Sequence, residues 1–258
     1  MKITALVENT PGNREVQVEH GLSLYIEARG KKLLFDMGQS GAFAENAEKL
    51  GVDLAAVDMA ILSHGHYDHG GGLAVFRGIN KTAPVYLSQY AFQPHYNGAR
   101  KDIGLPPELA DWDGLRFTGD VTNLSDGLWL YSCNDRNREH PLPDSGMTAV
   151  IDGISCADDF RHEQYLLIEE AGKRVLITGC SHKGILDLTQ WFQPDVLVGG
   201  FHFFKLPVDG ALGEYAAFLN RFSTRYYTCH CTGAEQFAYL KQHMARLEYL
   251  ACGQSIEI

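Results

Sequence analysis

Near the N-terminus apolar and polar residues alternate with a period of two, which predicts strands over Ile3–Glu8, Leu22–Ala28 and Lys32–Phe35. The last two are separated by Arg29-Gly30, a pair suited to a hairpin turn. The period then lengthens. Phe43, Ala47 and Leu50 share one face of a helix predicted over Ala42–Leu50. The apolar run Met59-Ala60-Ile61-Leu62 reads as a short buried strand leading directly into HGHYDHGGGL. Its three consecutive glycines allow a tight turn into another helix.

The middle of the chain, roughly 86–159, loses this regularity and holds Pro94, Pro106, Pro107, Pro141 and Pro143. It reads as loops and short elements inserted over one face of the core. Pattern resumes in two strands, Tyr165–Glu169 and Val175–Thr178, around Ala171-Gly172. A helix (Gly184–Trp191), a strand (Val196–Val198), a helix (Leu212–Phe222), a strand (Tyr226–Cys229) and a helix (Ala234–His243) are predicted next, with Leu247–Leu250 as a final strand. Two mixed sheets packed together with helices outside would bury both halves, in a single domain spanning 1–258.

Composition narrows the function. With 45% hydrophobic and 21% charged residues over 258 positions, the chain is globular in type. Its 22 basic against 32 acidic residues give a formal charge of -10, with no basic run to offset it, so nucleic acid is not an expected partner. No apolar stretch reaches the roughly 18 residues that span a bilayer. The segment MKITALVENTPGN lacks the apolar core and cleavage site of a signal peptide. Six scattered cysteines (Cys133, Cys156, Cys180, Cys229, Cys231 and Cys252) suit reduced thiols, so a soluble cytoplasmic protein is expected.

The chemistry concentrates in His64-Gly65-His66-Tyr67-Asp68-His69, with four ligand-type side chains in six residues after a buried strand. In an extended segment alternate side chains point the same way, so His64 and His66 can reach one metal together. The turn that follows can aim Asp68 and His69 at a second. Imidazole and carboxylate are ligands that zinc accepts, at about 2.0–2.2 Å; manganese and iron fit the same set.

The segment Ser63-His64-Gly65-His66-Tyr67-Asp68-His69-Gly70-Gly71-Gly72-Leu73 resembles the HxHxDH signature of the metallo-β-lactamase superfamily. Leu34-Phe35-Asp36-Met37-Gly38 resembles its upstream strand and turn, where the aspartate braces the metal loop. Glu19-His20-Gly21-Leu22-Ser23, Thr178-Gly179-Cys180-Ser181-His182, Gly199-Gly200-Phe201-His202 and Cys229-His230-Cys231-Thr232-Gly233 are similar to one branch of it. That branch holds the dihydropterin-aminobenzene ribofuranosyl phosphate synthases and many uncharacterised hydrolases. The resemblance implies an αββα sandwich of two mixed sheets with a two-metal site at one edge. It implies that His182 completes the first metal's ligands with His64 and His66, and that His230 joins Asp68 and His69 on the second.

One departure stands out. The slot of the superfamily's bridging aspartate holds Cys180. A thiolate can ligate zinc. A small buried residue in the turn is the favoured alternative, because His182 is close enough to supply a ligand. His162 competes with His182 for one position. His202 is expected to contact substrate or the leaving group, and His20 more weakly so. His95, His140 and His243 read as ordinary surface or loop histidines, and Cys229 and Cys231 as thiols facing the core. Arg100 and Lys101 could receive an anionic group, or could be a solvated pair.

The expected mechanism has a water held between two metals attacking a carbonyl or phosphoryl centre of a small molecule. Asp68 would orient it or accept its proton, and His202 would stabilise the developing charge or protonate the leaving group. The branch's pterin-linked transfer is the competing chemistry on the same site. A non-catalytic metal sensor is a third reading. A nuclease is disfavoured by the acidic charge, a flavin-linked redox enzyme by the chain's length, and a β-lactam hydrolase by the lack of an export signal.

Overall fold

The computed structural model describes residues 1–98, 101–143 and 145–258. The chain begins with β1 (Lys2–Val7), β2 (Ser23–Ala28) and β3 (Lys31–Phe35), followed by α1 (Ala42–Lys49) and β4 (Met59–Ile61). The β2–β3 hairpin turns on Arg29 and Gly30, at φ 54° and 71°. Positive φ at both central residues gives the turn whose twist matches the flanking strands. After β4 the short helix α2 (Tyr67–Gly70) and then α3 (Leu73–Ile79) lead to β5 (Val85–Ser88).

The middle of the chain differs from expectation, because it is built of strands. It contains β6 (His95–Asn97), β7 (Lys101–Asp102), β8 (Leu115–Thr118), β9 (Val121–Ser125), β10 (Leu128–Tyr131), β11 (Met147–Ile151) and β12 (Ile154–Ala157). Of these, β8 extends the first sheet and β9 and β10 the second, while β6, β7, β11 and β12 form a separate four-stranded sheet. The strands have two to five residues each, and several, such as β9 and β12, lie at edges with no buried residue, so they carry no apolar run to reveal them.

The remainder alternates strands and helices: β13 (Tyr165–Glu170), β14 (Lys173–Ile177), α4 (Ile185–Phe192), β15 (Val196–Gly199), α5 (Gly210–Leu219), β16 (Arg225–Thr228), α6 (Ala234–His243) and β17 (Leu247–Tyr249). A further strand, β18 (Ser255–Glu257), follows the one expected to be last and pairs antiparallel with β1, Lys2 opposite Glu257.

Each large sheet has seven strands, in the orders β18-β1-β2-β3-β4-β5-β8 and β17-β16-β15-β14-β13-β10-β9. Both are mixed. In the first, β3, β4, β5 and β8 run parallel; in the second, β14 to β17 do. Side-chain alternation then sorts three apolar layers. Leu33 and Phe35 face Val175 and Ile177 across the inter-sheet core. Leu34 points the other way, onto Phe43, Leu73 and Phe76 of α1 and α3. Leu176 and Leu197 likewise pack under Leu188, Leu212 and Leu240 of α4, α5 and α6. Helix, sheet, sheet, helix is therefore the layer order, the αββα sandwich that was expected. Burying such a Leu, Ile or Phe side chain contributes roughly 1.5–3 kcal/mol, so the two-period pattern specifies the sandwich strongly.

Candidate metal centre

The parallel strands of both sheets release their chains toward one cleft. At the end of β3, Asp36 is fully buried with φ 60°. Its carboxylate accepts three hydrogen bonds, from Ser63 N (2.6 Å), Ser63 Oγ (2.7 Å) and His69 Nδ1 (2.7 Å). Because Ser63 Oγ donates to Asp36, it accepts from His64 Nδ1 at 2.8 Å. One aspartate thus fixes the tautomers of His64 and His69 and leaves each Nε2 free. Gly65 lets this loop lie against Ala91, since a Cβ there would sit 2.1 Å from the Ala91 carbonyl oxygen.

The second sheet contributes from three successive strand ends. After β14 come Cys180 and His182, with Ser181 at φ 60° between them; after β15, His202 at φ 55°; after β16, His230 at φ 48°. Left-handed backbone at non-glycine residues is costly and gathers at functional sites. Polar side chains, two of them buried carboxylates, hold these turns. Glu163 accepts from His182 N (2.8 Å) and Lys183 N (3.0 Å). Glu8 accepts from His230 N at 2.7 Å, and Asn9 Oδ1 from His230 Nδ1 at 2.8 Å. The His182 ring stacks on Phe160 at 4.4 Å.

The side chains meet in adjoining groups, with ligand atoms within 4.8 Å of one another: His64, His66 and His182; His64, His69 and Cys180; and His20, Asp68 and His230. Their donor chemistry fits divalent cations. His69 and His230 each spend the Nδ1 hydrogen on a fixed acceptor, so their Nε2 lone pairs face each other only 3.1 Å apart. Asp68 Oδ2 stands 3.4 Å from His230 Nε2 and 3.8 Å from His69 Nε2. A cation or a shared proton relieves that confrontation. On the other side His64 Nε2, His66 Nε2 and both nitrogens of His182 are buried without any partner, a state that buried polar groups rarely sustain.

Charge follows the same division. Burial, reinforced by neighbouring imidazoles, holds His64 and His182 far below the usual histidine range. They stay neutral, as ligands must. Burial works against charging His69 too, but the Asp36 and Asp68 carboxylates outweigh it and raise its pKa. For Asp68, burial would raise the pKa, yet the His69 charge and the adjacent His20 and His230 rings drive it well below the carboxylate range. The cleft above encloses about 60 Å³ and is walled by His66, Asp68, Cys180, His182, His202 and His230.

All the residues expected in the site, His64, His66, Asp68, His69, His182, His202 and His230, line or adjoin this cleft. His162 falls in a different group from His182, its ligand atom within 4.8 Å of those of His66, His95 and Asp158. Its Nδ1 accepts from Gly65 N at 2.8 Å, which places its hydrogen on Nε2, 3.4 Å from Asp158. It positions the metal loop. His95 is not a surface histidine but fully buried, donating to Asp158 at 2.8 Å. Cys180, set aside as a small buried residue, has its sulfur 3.2 Å from His69 Nε2. Cys229 does pack in the core, whereas Cys231 faces the cleft. His20 reaches Asp68 at 3.2 Å. Lys101 lies over the Tyr67 ring at the rim; Arg100 falls outside the described residues. Glu8, Asn9 and Glu163 were not foreseen, being single polar residues whose only signal is their place beside predicted strands.

A family model described as the metallo-β-lactamase superfamily matches residues 16–130. The crystal structure of Tm1679, described as a metal-dependent hydrolase of the β-lactamase superfamily, superposes with a TM-score of 0.85 at 28% identity, covering 100% of this chain and 99% of that one. The chain has the metallo-β-lactamase fold. The superfamily resemblance carried by its motifs is thereby borne out. An uncharacterized protein of Methanocaldococcus jannaschii, MJ0448, is 27% identical over 93% of this chain and 94% of its own. The same organism's 7,8-dihydropterin-6-methyl-4-(β-D-ribofuranosyl)-aminobenzene-5'-phosphate synthase is 25% identical over 100% of this chain and 96% of its own. Zinc-bound PqqB of Methylobacterium extorquens shares the metallo-β-lactamase fold at 12% identity, with a TM-score of 0.62 over 100% of both chains.

Proposed function

We propose that this protein is a metal-dependent hydrolase of a small ester, phosphodiester or related molecule. It would hold two divalent cations, zinc foremost, one by His64, His66 and His182 and the other by Asp68, His69 and His230. The observation that carries this reading is the facing Nε2 pair of His69 and His230, 3.1 Å apart beside Asp68. Cations bound there would lower the pKa of a water from about 15.7 towards 7 and polarise the substrate oxygen.

The chain's own groups would do the rest. Asp68 Oδ2, kept ionised by its neighbours, orients the attacking water and accepts its proton. His202 has both ring nitrogens unpartnered at the cleft wall, so an N–H there donates to charge developing on the substrate or leaving group. The left-handed backbone at His202 fixes that direction before substrate arrives. A cleft of about 60 Å³ in a chain of charge -10 favours a small molecule over a polyanion. Among the described residues no helix is long and apolar enough to cross a membrane. All six cysteines are free, which supports a reducing, cytoplasmic setting.

The full-length similarity to the synthase supports a second reading, a dihydropterin-linked transfer of the ribofuranosylaminobenzene phosphate on the same centre. The test is turnover of an ester and phosphodiester panel by metal-loaded and chelated protein, alongside product analysis with the pterin and its phosphorylated partner. Metal-dependent hydrolysis on the panel supports the hydrolase. A coupled pterin product without hydrolysis transfers the assignment to the synthase chemistry. Turnover that survives chelation overturns both.

A further inference from the structure

The cleft holds two sulfurs that the histidine and carboxylate ligands do not account for. Cys180 and Cys231 are each only 3% exposed, and both line the cleft. Their sulfurs and a ring nitrogen of His202 all lie within 4.8 Å of one another. Neither nitrogen of His202 has a hydrogen-bond partner. The Cys231 thiol lies 3.5 Å from the Cys180 carbonyl oxygen, a weak contact for a poor donor, and interacts with the Cys180 and His202 side chains.

Backbone geometry puts Cys231 there. Plain strand alternation would have sent it into the core as it does Cys229. Instead the 3-10 turn His230–Thr232, entered through left-handed His230, swings the sulfur to the cleft. Gly200 leaves room for it, since a Cβ at that position would lie 2.4 Å from Cys231 Sγ. Gly200 N also donates to Gly179 O at 2.8 Å, tying together the turns that carry His202 and Cys180. Cys229 and Cys252, by contrast, sit in apolar or backbone surroundings away from the cleft.

We propose that Cys180, Cys231 and His202 form a sulfur-rich cation subsite adjoining the histidine cluster, so that the centre selects a borderline-soft cation such as zinc over manganese or magnesium. This rests on the metal-centre reading above. Thiolate donors favour zinc, whereas hard cations prefer oxygen. Loading would convert two thiols to thiolates, with both protons released to solvent as the sulfurs bind. Cys180, also 3.2 Å from His69 Nε2, links this subsite to the cluster around Asp68. His202 would ligate through one nitrogen and present the N–H of the other to substrate, so its role towards substrate is kept.

The test uses the full chain purified under reducing conditions. Loaded with cobalt(II), it should show thiolate-to-metal absorption that falls by about half in Cys231→Ser and is unchanged in Cys156→Ser, whose cysteine is exposed and does not line the cleft. Zinc-loaded native protein, measured by X-ray absorption together with its zinc content, should show two sulfurs per protein chain near ~2.3 Å, a readout independent of whether the variant folds. An absorption unaltered by Cys231→Ser, or a shell that amounts to one sulfur per chain or none in the loaded native protein, overturns the subsite and leaves the histidine centre standing. Failure of the native protein to take up any cation overturns both.

Discussion

The two sheets supply the cleft in opposite ways. From the first comes one compact loop, in which His64, His66, Asp68 and His69 lie within six residues and a single carboxylate, Asp36, braces them with three hydrogen bonds. From the second come Cys180 and His182, then His202, then His230 and Cys231, released by three separate strands, with buried Glu163 holding the first group and buried Glu8 the last. The loop concentrates its ligands by sequence. The second sheet concentrates them by parallel pairing of β14, β15 and β16, whose ends are aligned in space although some fifty residues separate Cys180 from Cys231. Half of the centre is therefore a local property of the chain, and half is a property of the fold.

That contrast can be broken experimentally. The largest effect should come from the loop: His66→Ala should bring metal-dependent turnover to background while the thermal midpoint stays near that of the native protein. Substantial residual turnover would mean that the loop does not need His66 to hold its cation. Acid should act next. His162 has its pKa pushed down to about 4 from 6.5 by burial, with the Asp158 hydrogen bond only partly opposing this. Between those values the unfolded chain binds a proton that the folded one refuses. Stability of the chelated protein should therefore fall as pH drops from 6.5 to 4, by about 3 kcal/mol from this group alone. Denaturant unfolding across that range should show the loss, and His162→Asn should reduce it; a flat profile would contradict the burial of a neutral imidazole behind the loop.

Asp36→Ala should weaken cation affinity by roughly 10–100-fold, the usual cost of losing a partner that orients a ligand. Competition with a chromogenic chelator measures it, and native affinity would show that the brace is dispensable. The smallest effect belongs to the second sheet. His202→Gln keeps a donor at the cleft wall, so kcat should fall only about tenfold. A loss as deep as that of His66→Ala would make His202 as indispensable as the loop histidines and erase the difference between the sheets.

The same division decides what was legible in the chain. The HxHxDH loop and the strand runs Leu33–Phe35 and Val175–Ile177 announced themselves, because a buried strand and a ligand cluster both leave dense local patterns. The helix at Ala234–His243 was read to the residue. The strands between 95 and 157 were hidden, since short edge strands such as Val121–Ser125 expose most of their side chains and need no apolar alternation. Cys231 was misdirected for another reason. Alternation assumes extended backbone, and the left-handed φ of His230 breaks it one residue earlier. Glu8 and Glu163 were invisible because a carboxylate that pins a distant turn is recognised only once the fold brings the two together.

The most direct test of a cation centre shared between the two sheets is elemental analysis of the protein purified without chelator. At least two equivalents of divalent metal, zinc foremost, are predicted, falling sharply in both His66→Ala and His230→Ala. Well under one equivalent, unchanged when metal is added back, would contradict it.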